Sequence, residues 1–186
     1  MMRDGGLGGD SVLTQATRVR GSDDFGWAEG EVLFEWFHED GTKFHESRQS
    51  NLITSAGDNF YVGRAAALTG VPAAATGMKL GTGATAVSKS GAGAALATYL
   101  AGSNKAFDAT FPTVAANVAT YKRTYAAGEA TTASNITEAV VVNDTIATDA
   151  TSAAAATVSR VLLASPAPKA AGDTLTVTWT HTFTGA

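Results

Sequence analysis

The sequence predicts a mainly β (α+β) protein: an antiparallel β-sandwich with one packed helix and an extended N-terminal arm. Three observations carry this expectation. "DTLTVTWTHTF" alternates apolar and threonine positions with period two, the signature of a half-buried strand. Short β-branched or aliphatic runs recur between Gly, Asn, Asp and Ala-Thr loops, as in antiparallel sheets. A single segment after Ile53 combines helical spacing with start and stop signals.

In chain order, residues 1–28 are rich in glycine and charge without a sustained period, which predicts an arm with at most one short strand at Val12–Val19. Residues 29–186 form the β-rich domain. It begins with a hairpin, in which Val32, Phe34 and Trp36 share one face and Glu31, Leu33, Glu35 and Phe37 the other. Glu39-Asp40-Gly41 makes the turn. The helix is capped by Thr54 or Ser55, carries Phe60, Tyr61, Ala65 and Leu68 at helical spacing, and stops at Gly70 and Pro72. Strands follow at Met78–Leu80, Lys105–Phe111, Val118–Tyr125, Ile136–Val142 and Thr157–Leu163. In the last strand Leu175, Val177, Trp179, His181 and Phe183 share a face, and Thr174, Thr176, Thr178, Thr180 and Thr182 share the opposite one.

Composition narrows the chemistry. The net charge of −4 gives no global attraction to nucleic acid or anionic membrane. No cysteine is present, which removes disulfides and thiolate chemistry. No apolar run approaches the ~20 residues of a membrane span, and the first residues lack an export signal. Small residues and threonines are poor material for proton transfer, which needs grouped His, Asp, Glu or Lys. The chain is therefore expected not to be an enzyme, and to hold no cofactor or metal.

Individual motifs test that expectation. "GATAVSKS" places Gly83, Lys89 and Ser90 in register with a phosphate-binding loop, and "EAVVVND" ends in Asn143 and Asp144 like a magnesium-binding strand. Ser88 occupies the position of the second glycine, however, and no parallel α/β context surrounds it. A small-residue surface loop is the reading adopted. His38 and His45 flank the hairpin turn beside Glu39, Asp40 and Glu46, but no third ligand is spaced to complete a metal site. His181 beside Trp179 reads as a hydrogen-bonded core or rim residue. No serine sits in a nucleophile elbow. "YKRTY" (Tyr121–Tyr125) interleaves aromatics with Lys122 and Arg123, as single-strand nucleic-acid platforms do, but in an acidic chain it reads as a strand with a solvent face or a charged subunit contact. The threonine row is either a solvent face or a flat uncharged surface for a neighbour, since an uncharged strand of this length invites edge pairing. Docking is the reading carried forward, with Arg18 and Arg20 of the arm as further interface candidates.

Several stretches in order resemble a group of tailed-bacteriophage virion structural proteins. They are Gly81-Thr82-Gly83 after a strand, Gly128-Glu129-Ala130, Ile136-Thr137-Glu138-Ala139, and Leu175-Thr176-Val177-Thr178-Trp179. The resemblance covers about residues 50–184. It implies a β-rich particle protein without catalysis, used as head decoration, tail or fibre component. The expected function is a capsid decoration (cement) protein in the virion, assembled in the host cytoplasm. Its partners would be the major capsid protein and copies of itself, as trimer or dimer, with no membrane and no specific nucleic acid. A tail, baseplate or fibre component is the alternative, followed by a receptor- or carbohydrate-binding β-module.

Overall fold

The computed structural model describes residues 28–184. The expected arm strand at Val12–Val19 and the interface candidates Arg18 and Arg20 lie outside the described residues. Strands β1 (Ala28–Phe37) and β2 (Lys43–Ile53) form the predicted hairpin. The chain reverses because Gly41 takes φ +82°, a left-handed backbone that glycine adopts at no steric cost. Asp40 Oδ1 accepts the Thr42 N–H at 2.8 Å and fixes the turn. That backbone bond is the main reason the Asp40 carboxyl titrates below its ordinary value.

Helix α1 (Ser55–Ala66) follows directly. Of the two capping candidates the structure uses Thr54, whose hydroxyl accepts from Gly57 N at 3.0 Å. Its first turn lies so close to the sheet that a Cβ on Gly57 would stand 2.0 Å from Val158 O. The helix ends earlier than its apolar spacing suggests: Leu68 is 98% exposed and packs on nothing. Phe60 is the side chain that α1 sends into the core.

The remaining strands are β3 (Gly77–Gly81), β4 (Lys105–Ala106), β5 (Thr113–Ala115), β6 (Val118–Tyr125), β7 (Thr132–Val142), β8 (Thr157–Lys169) and β9 (Thr174–Phe183). The expected strand Lys105–Phe111 survives as only its first two residues. Asp108 interrupts it by using its carboxylate on the Thr124 backbone N–H and hydroxyl. Thr110 then takes φ +77°, outside any strand conformation.

All nine strands belong to one antiparallel sheet, ordered β4-β3-β7-β8-β2-β1-β9-β6-β5. The expected sandwich of two stacked sheets is therefore replaced by a single sheet that curls around its core. Val32, Phe34 and Trp36 of β1, Tyr121 and Tyr125 of β6, and Met78 and Leu80 of β3 join one buried cluster with Phe60. Strands near opposite ends of the sheet thus share a core, which only a curled sheet permits. The bend lies at the β2/β8 seam, where backbone pairing is confined to Leu52–Arg160 and Ile53–Ser159. Beyond it, side chains bridge the strands, Gln49 Oε1 accepting from Ala164 N and Ser47 Oγ from Ser165 N. Pro166 and Pro168 lie in that part of β8, and proline has no N–H to give a ladder.

The outer side of β3 and β7 is also covered. Leu96 packs with Val140 and Val142 in a smaller cluster joined by Tyr99 and Ile146. Among the described residues, no helix is long and apolar enough to cross a membrane.

Candidate functional site

The glycine loop does bind an anion through its backbone, but the anion is part of the protein. Glu138 of β7 turns its carboxylate outward under the loop and accepts the N–H groups of Gly83 at 3.0 Å, Ala97 at 3.0 Å and Thr98 at 2.8 Å. Arg160, its neighbour on β8, closes the arrangement by bonding Glu138 Oε2 at 2.5 Å and the carbonyls of Thr85 and Gly93 at 2.9 and 2.8 Å. Both side chains are fully buried. A Cβ on Gly83 would approach Glu138 Oε1 to 2.5 Å, so glycine is required there by a carboxylate and not by a phosphate. Lys89 pairs with Asp58 of α1 at 2.9 Å. Asp144 pairs with buried Lys79 at 3.0 Å. The elements of the nucleotide pattern are thus engaged separately, each as a structural tie.

The hairpin histidines also go separate ways. His45 Nε2 lies 2.9 Å from Ser165 O, and its ring meets Trp36 edgewise with centroids 4.9 Å apart. His38 stacks on Phe44 at 4.1 Å and lies 3.4 Å from Asp173. Among the described residues, no three His, Cys, Asp or Glu side chains group as metal ligands do.

In "YKRTY" the tyrosines point inward, Arg123 is paired within the chain, and Lys122 lies over the Phe111 ring with its Nζ 6.0 Å from the centroid. Tyr121 and Tyr125 are buried. Arg123 bonds Glu129 at 2.5 Å, and Lys105 bonds the same carboxylate at 3.1 Å. Burial opposes ionisation of Glu129, but these cations and the Ala126 N–H outweigh it and hold the carboxyl below its ordinary value. Bases could not stack on rings so placed, which removes the feature that suggested a nucleic-acid platform.

His181 belongs to a hydrogen-bonded chain of side chains inside the protein. Trp179 Nε1 donates to His181 Nε2 at 3.1 Å. His181 Nδ1 bonds the Tyr61 hydroxyl, which lies 2.8 Å from the Tyr121 hydroxyl. Burial alone pushes the His181 pKa down to about 3. It also raises both tyrosines above their ordinary value. All three groups are therefore neutral at pH 7, and both ring nitrogens of His181 are engaged inside the protein. Tyr61 and Tyr121 form part of the wall of an apolar groove of about 470 Å³ between α1 and the β5–β6 end of the sheet.

Thr174, Thr176, Thr178, Thr180 and Thr182 lie part-exposed on the side of β9 turned away from the core. Strand β9 is hydrogen-bonded to β1 on one side and β6 on the other. Edge pairing through this strand, suggested by its uncharged length, is ruled out because its backbone groups are already used. Among the described residues, the sheet edges are the two-residue β4 and three-residue β5. What β9 offers a partner is a face. Leu33 and Lys122 flank Thr178 across the strands, and Glu35 and Thr124 flank Thr176.

In the sequence Glu138, Tyr61 and Tyr121 stand out only as strand or helix positions, and Arg160 not at all. The visible signal was one charge inside each apolar run, "ITEAVVV" and "TVSRVLL". Buried charges are rare unless paired. No family model, curated protein or solved structure matches this chain.

Proposed function

We propose that the chain is a structural component of a phage virion, a capsid decoration protein that binds the assembled head shell through protein–protein contacts. The observation that carries this reading is the threonine face of β9. It is uncharged along its length, lies on an interior strand, and is built from short side chains that lose little rotamer freedom on contact. The ordered series of motifs resembling virion proteins supports the same reading. A protein that binds only the assembled shell stabilises it by mass action, in proportion to its affinity and concentration. The glycine loop fits a structural part, since its anion-binding amides are filled by Glu138. A carbohydrate-binding module needs exposed aromatic platforms, whereas Trp36 and Trp179 are buried in the core and Trp27 lies outside the described residues.

The experiment is the copy number of this chain in purified particles, relative to the major capsid protein, by quantitative mass spectrometry. Parity or a simple fraction supports shell decoration. A few copies per particle moves the protein to the tail or baseplate, and absence from particles overturns the virion reading.

A further inference from the structure

On the outer side of β3 a buried lysine meets a carboxylate in surroundings that suit neither charge. Lys79 stands opposite Val140 in the β3–β7 register, and directly opposed residues share a face. Its side chain therefore leaves the sheet on the side that Leu96, Tyr99 and Ile146 cover, and it is 1% exposed. Asp144 lies just past the end of β7, where the backbone around it is fixed. Its carbonyl accepts the Thr76 hydroxyl at 2.7 Å, and the Asn143 N–H donates to Ala156 O at 3.0 Å. Lys79 Nζ then stands 3.0 Å from Asp144 Oδ2 and 3.2 Å from Thr151 O. An ammonium has three N–H groups, and among the described residues those two oxygens are its acceptors. On the other side of the pair, Asp144 Oδ1 is buried without a hydrogen-bond partner. An N–H without an acceptor and a carboxylate oxygen without a donor are both costly in an apolar layer.

Condensation of the pair relieves both. We propose that Lys79 and Asp144 become joined by a side-chain amide bond that the folded chain forms by itself, with loss of water. The ammonium passes one proton to Asp144 Oδ2 along their hydrogen bond. The freed Nζ lone pair attacks Cγ, and the Nζ–Cγ bond forms as the Cγ–Oδ1 double bond opens. A second proton moves from Nζ to Oδ2, the Cγ–Oδ2 bond breaks, and Oδ2 leaves as water while Oδ1 returns to a carbonyl. One ammonium and one carboxylate thus become one neutral amide and one water, without oxidant or further reactant. The fold supplies the drive in two ways. It holds nucleophile and acyl carbon together in advance, and it makes the separate charges expensive to keep buried. The product fits the site: its single N–H has Thr151 O already placed to accept it, and Oδ1 no longer shares a full charge. The other ion pairs lack one or other condition. Arg160, beside Glu138, carries a guanidinium that does not lose its proton in proteins. Lys89 and Asp58 are 50% and 34% exposed, so water solvates both. The Lys79–Asp144 bond ties together positions 65 residues apart, and it does not depend on the virion reading.

The test is intact-mass spectrometry of the full chain after denaturation, followed by tryptic mapping. The expected mass is one water below that of the sequence. Trypsin should fail to cut after Lys79, and one branched peptide should join residues 65–89 to residues 124–160. Lys79→Arg keeps the positive charge but cannot condense, so its mass should equal that of its sequence and no branched peptide should appear. If that variant does not fold, the wild-type map still decides. A full sequence mass with normal cleavage after Lys79 would overturn the proposal. So would a missing water that maps to a linear peptide, which would mark a cyclised aspartate instead of a cross-link.

Discussion

Glu138 and Arg160 show how a single residue pair organises a loop. The carboxylate collects three backbone N–H groups and the guanidinium two close carbonyls, so a segment without regular structure is held on the outer face of β7 and β8. Removing one partner leaves the other charged, buried and uncompensated. Glu138→Ala should therefore cost about 3–5 kcal/mol, measured by urea unfolding. A smaller loss, with the loop amides still protected from hydrogen exchange, would mean that the loop is held otherwise. His181 makes a prediction about pH. Its folded pKa of about 3 lies below the unfolded value of 6.5, so the unfolded chain binds the extra proton between those limits. Among the described residues, the groups against it, Trp179, Tyr61 and Tyr121, are all neutral. The stability contributed is complete above pH 6.5 and is lost as pH falls through that window, by up to about 1.4 kcal/mol per unit. Unfolding free energies between about pH 6.5 and 5 should fall in the wild type and fall less steeply in His181→Gln. Parallel slopes would assign the acid lability to other groups.

At the scale of elements, β9 makes the clearest case. Its alternation places Leu175, Val177, Trp179 and His181 in the core and leaves the threonines on the other side. The cross-strand neighbours sharpen the test of that face. Lysine at position 176 would stand opposite Glu35, whereas lysine at 178 would stand opposite Lys122. Thr176→Lys should keep wild-type stability and lose attachment to particles. Thr178→Lys should lose attachment and also some tenths of a kcal/mol of stability through like-charge opposition. Normal attachment of Thr176→Lys would return the face to solvent. The alternation was legible because period two is a local property of the chain. The fate of Lys105–Phe111 was not, because Asp108 stops that strand by bonding Thr124, a partner on β6. The prolines of β8 acted in the same way. A ladder gap at Pro166 and Pro168 is predictable, but the bend it allows against β2 depends on which strand lies alongside.

For the molecule as a whole, one curled sheet buries a single large cluster within residues 28–184. Those residues supply a large buried cluster of their own. Deleting residues 1–27 should leave the cooperative unfolding transition in place while weakening attachment to particles, checked by thermal unfolding and by co-sedimentation with shells. Loss of the transition would make the arm part of the fold, and unchanged attachment would remove it from the mechanism. The short edges, β4 and β5, limit strand-to-strand growth.

The sequence by itself determined the β-rich class, the hairpin and its turn, the capped helix, the two faces of β9 and the mismatch of "GATAVSKS" with a phosphate loop. These depend on residues close in the chain, where dihedral preference and side-chain period act. The tertiary structure alone decided that the sheet is single and curled, that β9 is interior, that Glu138 fills the glycine loop, and that Tyr61 and Tyr121 meet His181. Each of these needs the register between segments far apart in sequence. Register is set by the joint burial of the core, and no local pattern encodes it.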